Sequence, residues 1–141
     1  MAEITDSENR VSDDSRSSPS QERTLALVLN RDLLFGSRIR AALSALGMQG
    51  KFVKDSGQFN AELVLNATDI AIAVIDMNGP VDWEILREGL GASGVPPTLA
   101  FGPHVDVEGR RAAKTAGIDR IVSNGQFSRE MVPLIERYRR Y

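Results

Sequence analysis

Beyond residue 23 the chain alternates between short apolar runs and amphipathic stretches. Residues 24–29 (TLALVL) form a compact aliphatic run of the kind a buried strand requires. From Asp32 onward Leu33, Phe35, Ile39, Ala42, Leu43 and Leu46 recur near helical spacing, which predicts a helix with these residues on one face. Gly47 and Gly50 bracket a turn, residues 49–53 form a second strand, and Ser56 is expected to cap a helix carrying Phe59, Leu63 and Val64. Residues 69–75 (DIAIAVI) are apolar at nearly every position, as a central strand covered by helices on both faces must be.

Gly79 and Pro80 then break the chain, and Asp82 caps a helix over Trp83 to Leu90. Gly91, Gly94, Pro96 and Pro97 end that helix ahead of a strand at 98–101. Asp106 caps a helix that runs through Ala116, with Gly117 in the place of a left-handed C-cap. A fifth strand follows near 120–122. The last helix is expected over about 128–140, with Met131, Leu134, Ile135 and Tyr138 inward, and Pro133 demands that its position lie near a first turn.

Five strands alternating with five helices predict an α/β fold: a single doubly wound, five-stranded parallel sheet of the (βα)5, flavodoxin-like kind, spanning 24–141. Residues 1–23 are dominated by Ser, Asp, Glu and Arg, with Ile4 and Val11 as their only large aliphatic side chains, and are expected to form a disordered N-terminal tail. With 42% hydrophobic and 26% charged residues the remainder has enough apolar material for one core. A net charge of -2 supplies no global attraction to nucleic acid or anionic lipid. The absence of cysteine excludes disulfides, thiolate catalysis and cysteine-ligated metal. Residues 1–23 lack the apolar stretch of a secretory signal, and no run approaches the roughly 18 residues of a membrane span, so a cytoplasmic location is expected.

In sheets of this kind chemistry gathers beyond the carboxyl ends of the strands, where strand order reverses. Those ends present Asn30, Arg31 and Asp32 after the first strand, Asp76, Met77 and Asn78 after the third, Gly102, Pro103 and His104 after the fourth, and Ser123 and Asn124 after the fifth. The segment IAVIDMNGP resembles the strand that delivers the phosphoacceptor aspartate in the receiver domains of bacterial response regulators, with Asp76 in that place. The stretch AAKTAGIDRIV is similar to the receiver pattern in which an Ala-Gly helix end leads into the fifth strand, and the spacing agrees over nearly all of 24–141.

The resemblance implies a Mg²⁺ held by two acidic residues after the first strand, a hydroxyl after the fourth and a lysine after the fifth. Counting back from Gly47, the acidic pair falls on Asn30 and Arg31, the hydroxyl on Phe101 or Gly102, and the lysine on Asn124 or Ser123. Asp32 carries its carboxylate one position late, and Ile121 stands where receivers commonly place a mobile aromatic ring. Of the phosphorylation set only Asp76 remains. Arg31 either turns inward to pair with Asp76, filling the space of the absent metal, or is a solvated loop residue.

Other motifs change little. Gly89, Gly91 and Gly94 in GLGASG match a dinucleotide fingerprint letter by letter, but they end a helix where that fingerprint must open one. His104 is the sole histidine and has no paired nucleophile or second ligand in the sequence around it. The C-terminal ERYRRY places Arg137, Tyr138, Arg139, Arg140 and Tyr141 together, either complementing the helix dipole or forming a docking surface beside the face that receivers commonly use for dimers and partners.

Three functional expectations follow. The first is a degenerate receiver-like signalling module that acts by protein-protein interaction, without Mg²⁺-dependent aspartyl phosphorylation, and that is not an enzyme. Its partner would be another signalling protein or a second copy of the chain; no nucleic acid, membrane, metal or other cofactor is expected. No output domain follows the last helix, so any effect is expected to pass through a separate protein. The second is a phosphorylatable single-domain regulator with Asp76 as acceptor, which alone would need Mg²⁺. The third is a small ligand-binding protein or enzyme using Asp76, His104 and Asn124 around the crevice, and it predicts a concave pocket there.

Overall fold

Seven consecutive buried residues set the architecture: β3 (Ile70–Asp76) has no solvent-facing side, so elements must cover both of its faces. The computed structural model describes residues 22–141. Strands β1 (Leu25–Leu29), β2 (Gln49–Val53), β3, β4 (Thr98–Gly102) and β5 (Arg120–Ser123) pair in parallel in the order β2-β1-β3-β4-β5. Between and after them come α1 (Leu33–Ala45), α2 (Ser56–Asn66), α3 (Trp83–Leu90), α4 (Val107–Ala116) and α5 (Asn124–Tyr138). This is the (βα)5 arrangement that the apolar alternation predicts.

Strand side chains alternate between two cores. Ala26, Val28, Ile72, Val74, Leu99 and Phe101 pack on one face against Ile39 and Leu43 of α1 and Phe127, Met131 and Ile135 of α5. Leu27, Leu29, Ala73, Ile75 and Ala100 pack on the other against Phe59 and Leu63 of α2, Leu86 of α3 and Ala113 of α4. On the first face Phe101 stacks on Phe127 with ring centroids 4.0 Å apart, and Phe35 tilts against Phe101 at 4.9 Å. Among the described residues no helix is long and apolar enough to cross a membrane.

The helix ends follow capping chemistry. Asp32, Asp82 and Asp106 each accept backbone N–H groups at the start of α1, α3 and α4. At α2 the cap is Asp55, which accepts from Gln58 N at 2.8 Å, and not Ser56. Ser56 is instead buried at the first helical position, where its hydroxyl accepts from the N–H of Asp82 at 2.8 Å and ties the start of α2 to that of α3. Gly117 ends α4 at φ 103, a left-handed conformation that a side chain would strain.

Other departures have equally local causes. Leu33 and Val64, placed by spacing on inward faces, are 89% and 64% exposed. Leu33 opens α1 at the rim of the sheet, and Val64 follows buried Leu63 by one residue, about 100° around the helix. Helix α5 starts at Asn124, capped by Ser123, and is kinked at Glu130, where φ is -125 and ψ 28. The kink restarts the helix three residues before Pro133, so the missing N–H falls in a first turn.

The expected tail over 1–23 lies outside the described residues, apart from its last two positions, which belong to the fold. Glu22 pairs with Arg139 at 3.6 Å, and the Arg23 N–H donates to the carbonyl of Tyr141 at 3.1 Å. The C-terminal arginines are likewise drawn inward. Arg139 is 7% exposed, donates to the Arg23 carbonyl at 2.8 Å and pairs with Glu136 at 3.5 Å. Arg140 donates its backbone N–H to Ala71 at 2.9 Å and its guanidinium to the carbonyls of Ile70, Gly94, Val95 and Ala67. Arg139 and Arg140 therefore leave the docking surface suggested by ERYRRY. Tyr138 is half-buried under Arg120, which donates to its hydroxyl at 3.0 Å, while Arg137 and Tyr141 stay exposed.

Arg140 donates to the carbonyl of Ala67, which opens the 3₁₀ turn Ala67–Asp69 and also accepts the Ile70 N–H, and to the carbonyls of Ile70, Gly94 and Val95. Its replacement by Ala is expected to lower stability by about 2–3 kcal/mol in urea unfolding, the cost of orphaning several acceptors of a charged donor. Arg137→Ala, on the same turn but exposed, is expected to stay within about 0.5 kcal/mol of the parent.

Candidate functional site

The carboxyl ends of β1, β3 and β4 converge because β1 and β4 flank β3, and the last residue of β3 is Asp76. Its side chain is 5% exposed. A buried carboxylate needs donors for both oxygens. Here Asn30 Nδ2 donates to Oδ2 at 2.8 Å, while the backbone N–H and the Nδ2 of Asn78 both donate to Oδ1 at 2.8 Å. All three donors are amides and none is a cation. Asn78 and Asn124 complete the network by exchanging side-chain hydrogen bonds at 3.0 and 2.8 Å. Three asparagines thus link the end of β1, the turn after β3 and the first residue of α5 through one carboxylate.

Each donor is itself held. Asn30 is 9% exposed, its N–H donates to Val53 at 3.0 Å, and its Oδ1 would lie only 2.6 Å from a Cβ added to Gly36, so that glycine makes room for it. Asn124 occupies one of the two positions implied for a lysine, yet its amide reaches Asn78 and stops short of Asp76. Ser123, the alternative position, is the N-cap of α5 and accepts from Gln126 N at 3.1 Å.

Arg31 does not pair with Asp76. It is exposed, and its Nε donates to the carbonyl of Lys54 at 2.6 Å, so the guanidinium lies across the β1 edge of the site. Asp32 accepts from Leu34 N at 3.0 Å and Phe35 N at 3.3 Å, which commits its carboxylate to capping α1. His104 is exposed in the turn before α4. A cavity of about 290 Å³ opens at these strand ends, lined by Asn30, Arg31, Asp32, Lys54, Asp76 and Asn78, with Leu29, Gly79 and Pro80. His104 and Asn124 are not in its wall, although Asn124 is hydrogen-bonded to Asn78, which is.

The hydroxyl position is closed by packing. Phe101 pairs with Asp76 in register but is 0% exposed and stacked in the core. Gly102 lies under Met77, whose Cβ would sit 2.9 Å from an added Cβ. Ile121 is half-buried against the α2–α4 side of the sheet. Lys54, Gly79 and Pro80 line the cavity although strand-end counting did not indicate them, and Met77, counted at the end of β3, packs over Gly102. Gly102, ending a strand of buried residues, was the available signal for the close approach of Met77.

The fold raises the question of Mg²⁺, which takes several oxygen ligands in near-octahedral geometry. Two carboxylates border the cavity; Asp76 accepts three amide donors and Asp32 caps α1. No group of three or more His, Asp or Glu side chains gathers in a metal-ligating arrangement among the described residues. With both carboxylates engaged in these bonds, the described residues show no preformed cluster of free oxygens for the ion.

No protein-family model matches the chain, and no curated protein matches it. Solved structures do. The chemotaxis response regulator CheY4 of Vibrio cholerae superposes with a TM-score of 0.67 at 15% identity, over 82% of this chain and 98% of that one. The phosphorylated cyanobacterial phytochrome response regulator RcpA gives 0.69 at 14% identity over 82% and 94%. A response regulator from Chloroflexus aurantiacus gives 0.69 at 13% identity over 83% and 98%. At such identities the likeness establishes the fold, and the chain is receiver-like in fold, as its sequence pattern implies.

If Met77 has taken the room of a hydroxyl, Gly102→Ser should cost about 1–3 kcal/mol in thermal or urea unfolding, since the new Cβ overpacks the site. Adding Met77→Gly, which removes the Cβ that the new side chain meets, should recover part of that loss, giving a non-additive double-mutant cycle. Additive effects would place the strain elsewhere.

Proposed function

We propose that this chain is a receiver-like signalling module that acts by docking to another protein and does not use Mg²⁺-dependent phosphorylation of an aspartate. The observation that carries this reading is the amide cage on Asp76: both carboxylate oxygens are engaged by Asn30 and Asn78, and none of the donors is a cation. Phosphoryl transfer to a carboxylate concentrates negative charge, and catalysis of it consists largely of positioned cations. Arg31 donates to the carbonyl of Lys54, and the two positions implied for the receiver lysine hold the amide of Asn124 and the hydroxyl of Ser123. A phosphoryl group on Asp76 would displace Asn78, and the cations that share its cavity, Arg31 and Lys54, do not contact the carboxylate.

The output side is equally changed. A switch of this class couples the phosphoryl group to a hydroxyl after β4 and then to an aromatic ring on β5. Gly102 and Ile121 supply neither, so nothing is left to move. A module of this kind presents one constant surface to a partner signalling protein, and catalysis is not part of its role. RcpA was solved in its phosphorylated form; the absence here of a hydroxyl at Gly102 and of an aromatic ring at Ile121 supports a module that does not follow that route.

The test is an amide NMR titration with Mg²⁺ and beryllofluoride, whose beryllium centre stands in for a phosphoryl group on the carboxylate. Wild type and Asp76→Ala are expected to show the same, unsaturable response. Saturable shifts that spread from Asp76 toward Gly102 and α5, and that vanish in Asp76→Ala, would restore a phosphorylation switch and overturn the proposal.

A further inference from the structure

The chain contains two Asn-Gly pairs, Asn78–Gly79 and Asn124–Gly125, and the fold brings them face to face through the paired amides described above. Asn-Gly is the dipeptide in which a backbone nitrogen most easily reaches the preceding side-chain carbonyl, because glycine has no Cβ to obstruct the approach. The two pairs differ in backbone state. Asn124 opens α5 behind the Ser123 cap, so Gly125 is fixed in helical geometry. Asn78 and Gly79 are exposed in the turn between β3 and α3, in neither helix nor strand. Among the described residues no carbonyl accepts the Gly79 N–H. Both residues line the open cavity, which gives water access to them.

We propose that Asn78 is a site of spontaneous deamidation, and that the carboxylate it leaves releases the amide network at Asp76. The Gly79 nitrogen, losing its proton to solvent, attacks Cγ of Asn78. The new N–Cγ bond forms, the Cγ–Nδ2 bond breaks, and the departing nitrogen leaves as ammonia. Water then opens the cyclic imide at either carbonyl, giving an aspartyl or an isoaspartyl residue. One water is consumed, one ammonia is released, and no oxidant or reductant takes part. This goes beyond the docking role, since it holds whatever partner the module serves.

The consequence follows from the inventory of donors. A carboxylate has no N–H to give. Asp76 Oδ1 would lose its bond from Asn78 Nδ2 and face a like charge at hydrogen-bond distance, and Asn124 Oδ1 would lose its donor. The tie between the β3–α3 turn and the start of α5 would open, and the isoaspartyl product would also lengthen the backbone of the turn. The same bonds govern the rate, because Asn78 must leave Asn124 before Gly79 can reach it.

The experiment is peptide mapping by mass spectrometry of the intact chain aged at mildly alkaline pH in ¹⁸O-water, which labels each deamidated residue. Conversion is expected chiefly at Asn78, well ahead of Asn124. It should be lost in Gly79→Ala, a variant the turn accommodates: Gly79 has no positive φ, and the added Cβ would lie 4.0 Å from Arg31 Cδ. It should run several-fold faster in Asn124→Ala. Amide spectra of aged protein and of Asn78→Asp should share shifted peaks at Asn30, Asp76 and Asn124. Conversion at Asn124 in preference to Asn78, unchanged conversion in Gly79→Ala, or an Asn78→Asp spectrum unaltered at Asp76 would each overturn the proposal.

Discussion

Burying a carboxylate is costly unless its oxygens are hydrogen-bonded, and at Asp76 both oxygens are engaged by amides. The other features of the strand ends follow from this one. Asn30 must be buried to reach Oδ2, which obliges Gly36 to lack a side chain. Asn78 must fold back on Oδ1, which fixes the turn after β3 and lets Asn124 bind α5 to it. The carboxylate is thereby a structural anchor joining three loops. Its place at the end of the most buried strand of the sheet makes that anchor rigid.

The same logic explains why a receiver-like fold need not behave as a receiver. A switch requires two arrangements close in free energy, biased by a ligand or a modification. Here Met77 packs over Gly102, Phe101 stacks on Phe127 with Phe35 tilted against it, and Asp32 is bound to its own helix. Close packing of that kind favours a single state. At this site a receiver-like scaffold carries an aspartate whose oxygens are held by neutral amide donors.

The fold was legible because its signals are local and strong. The unbroken apolar run of β3, the Asp caps of α1, α3 and α4, and Gly117 each decide an element without reference to distant residues. Ser56 shows the limit: two adjacent capping residues compete, and only the packing of α2 against α3 decides that Asp55 caps while Ser56 serves Asp82. The positions of the site residues could be counted from the strands, but their partners could not. Nothing in the sequence says whether Arg31 faces Asp76 or Lys54, because the choice depends on how the loop leaves β1. Arg139 and Arg140 looked like surface residues for a similar reason; their acceptors lie 116 and 70 residues away, at Arg23 and Ile70.

The most direct measurement is the unfolding free energy of Asp76→Ala against wild type. An aspartate serving as a structural anchor leaves Asn30 buried without its acceptor when removed, so a loss of about 2–3 kcal/mol is predicted. A strained functional carboxylate behaves in the opposite way, because activity is commonly held at the expense of stability. An Asp76→Ala variant as stable as wild type, or more so, would contradict the account.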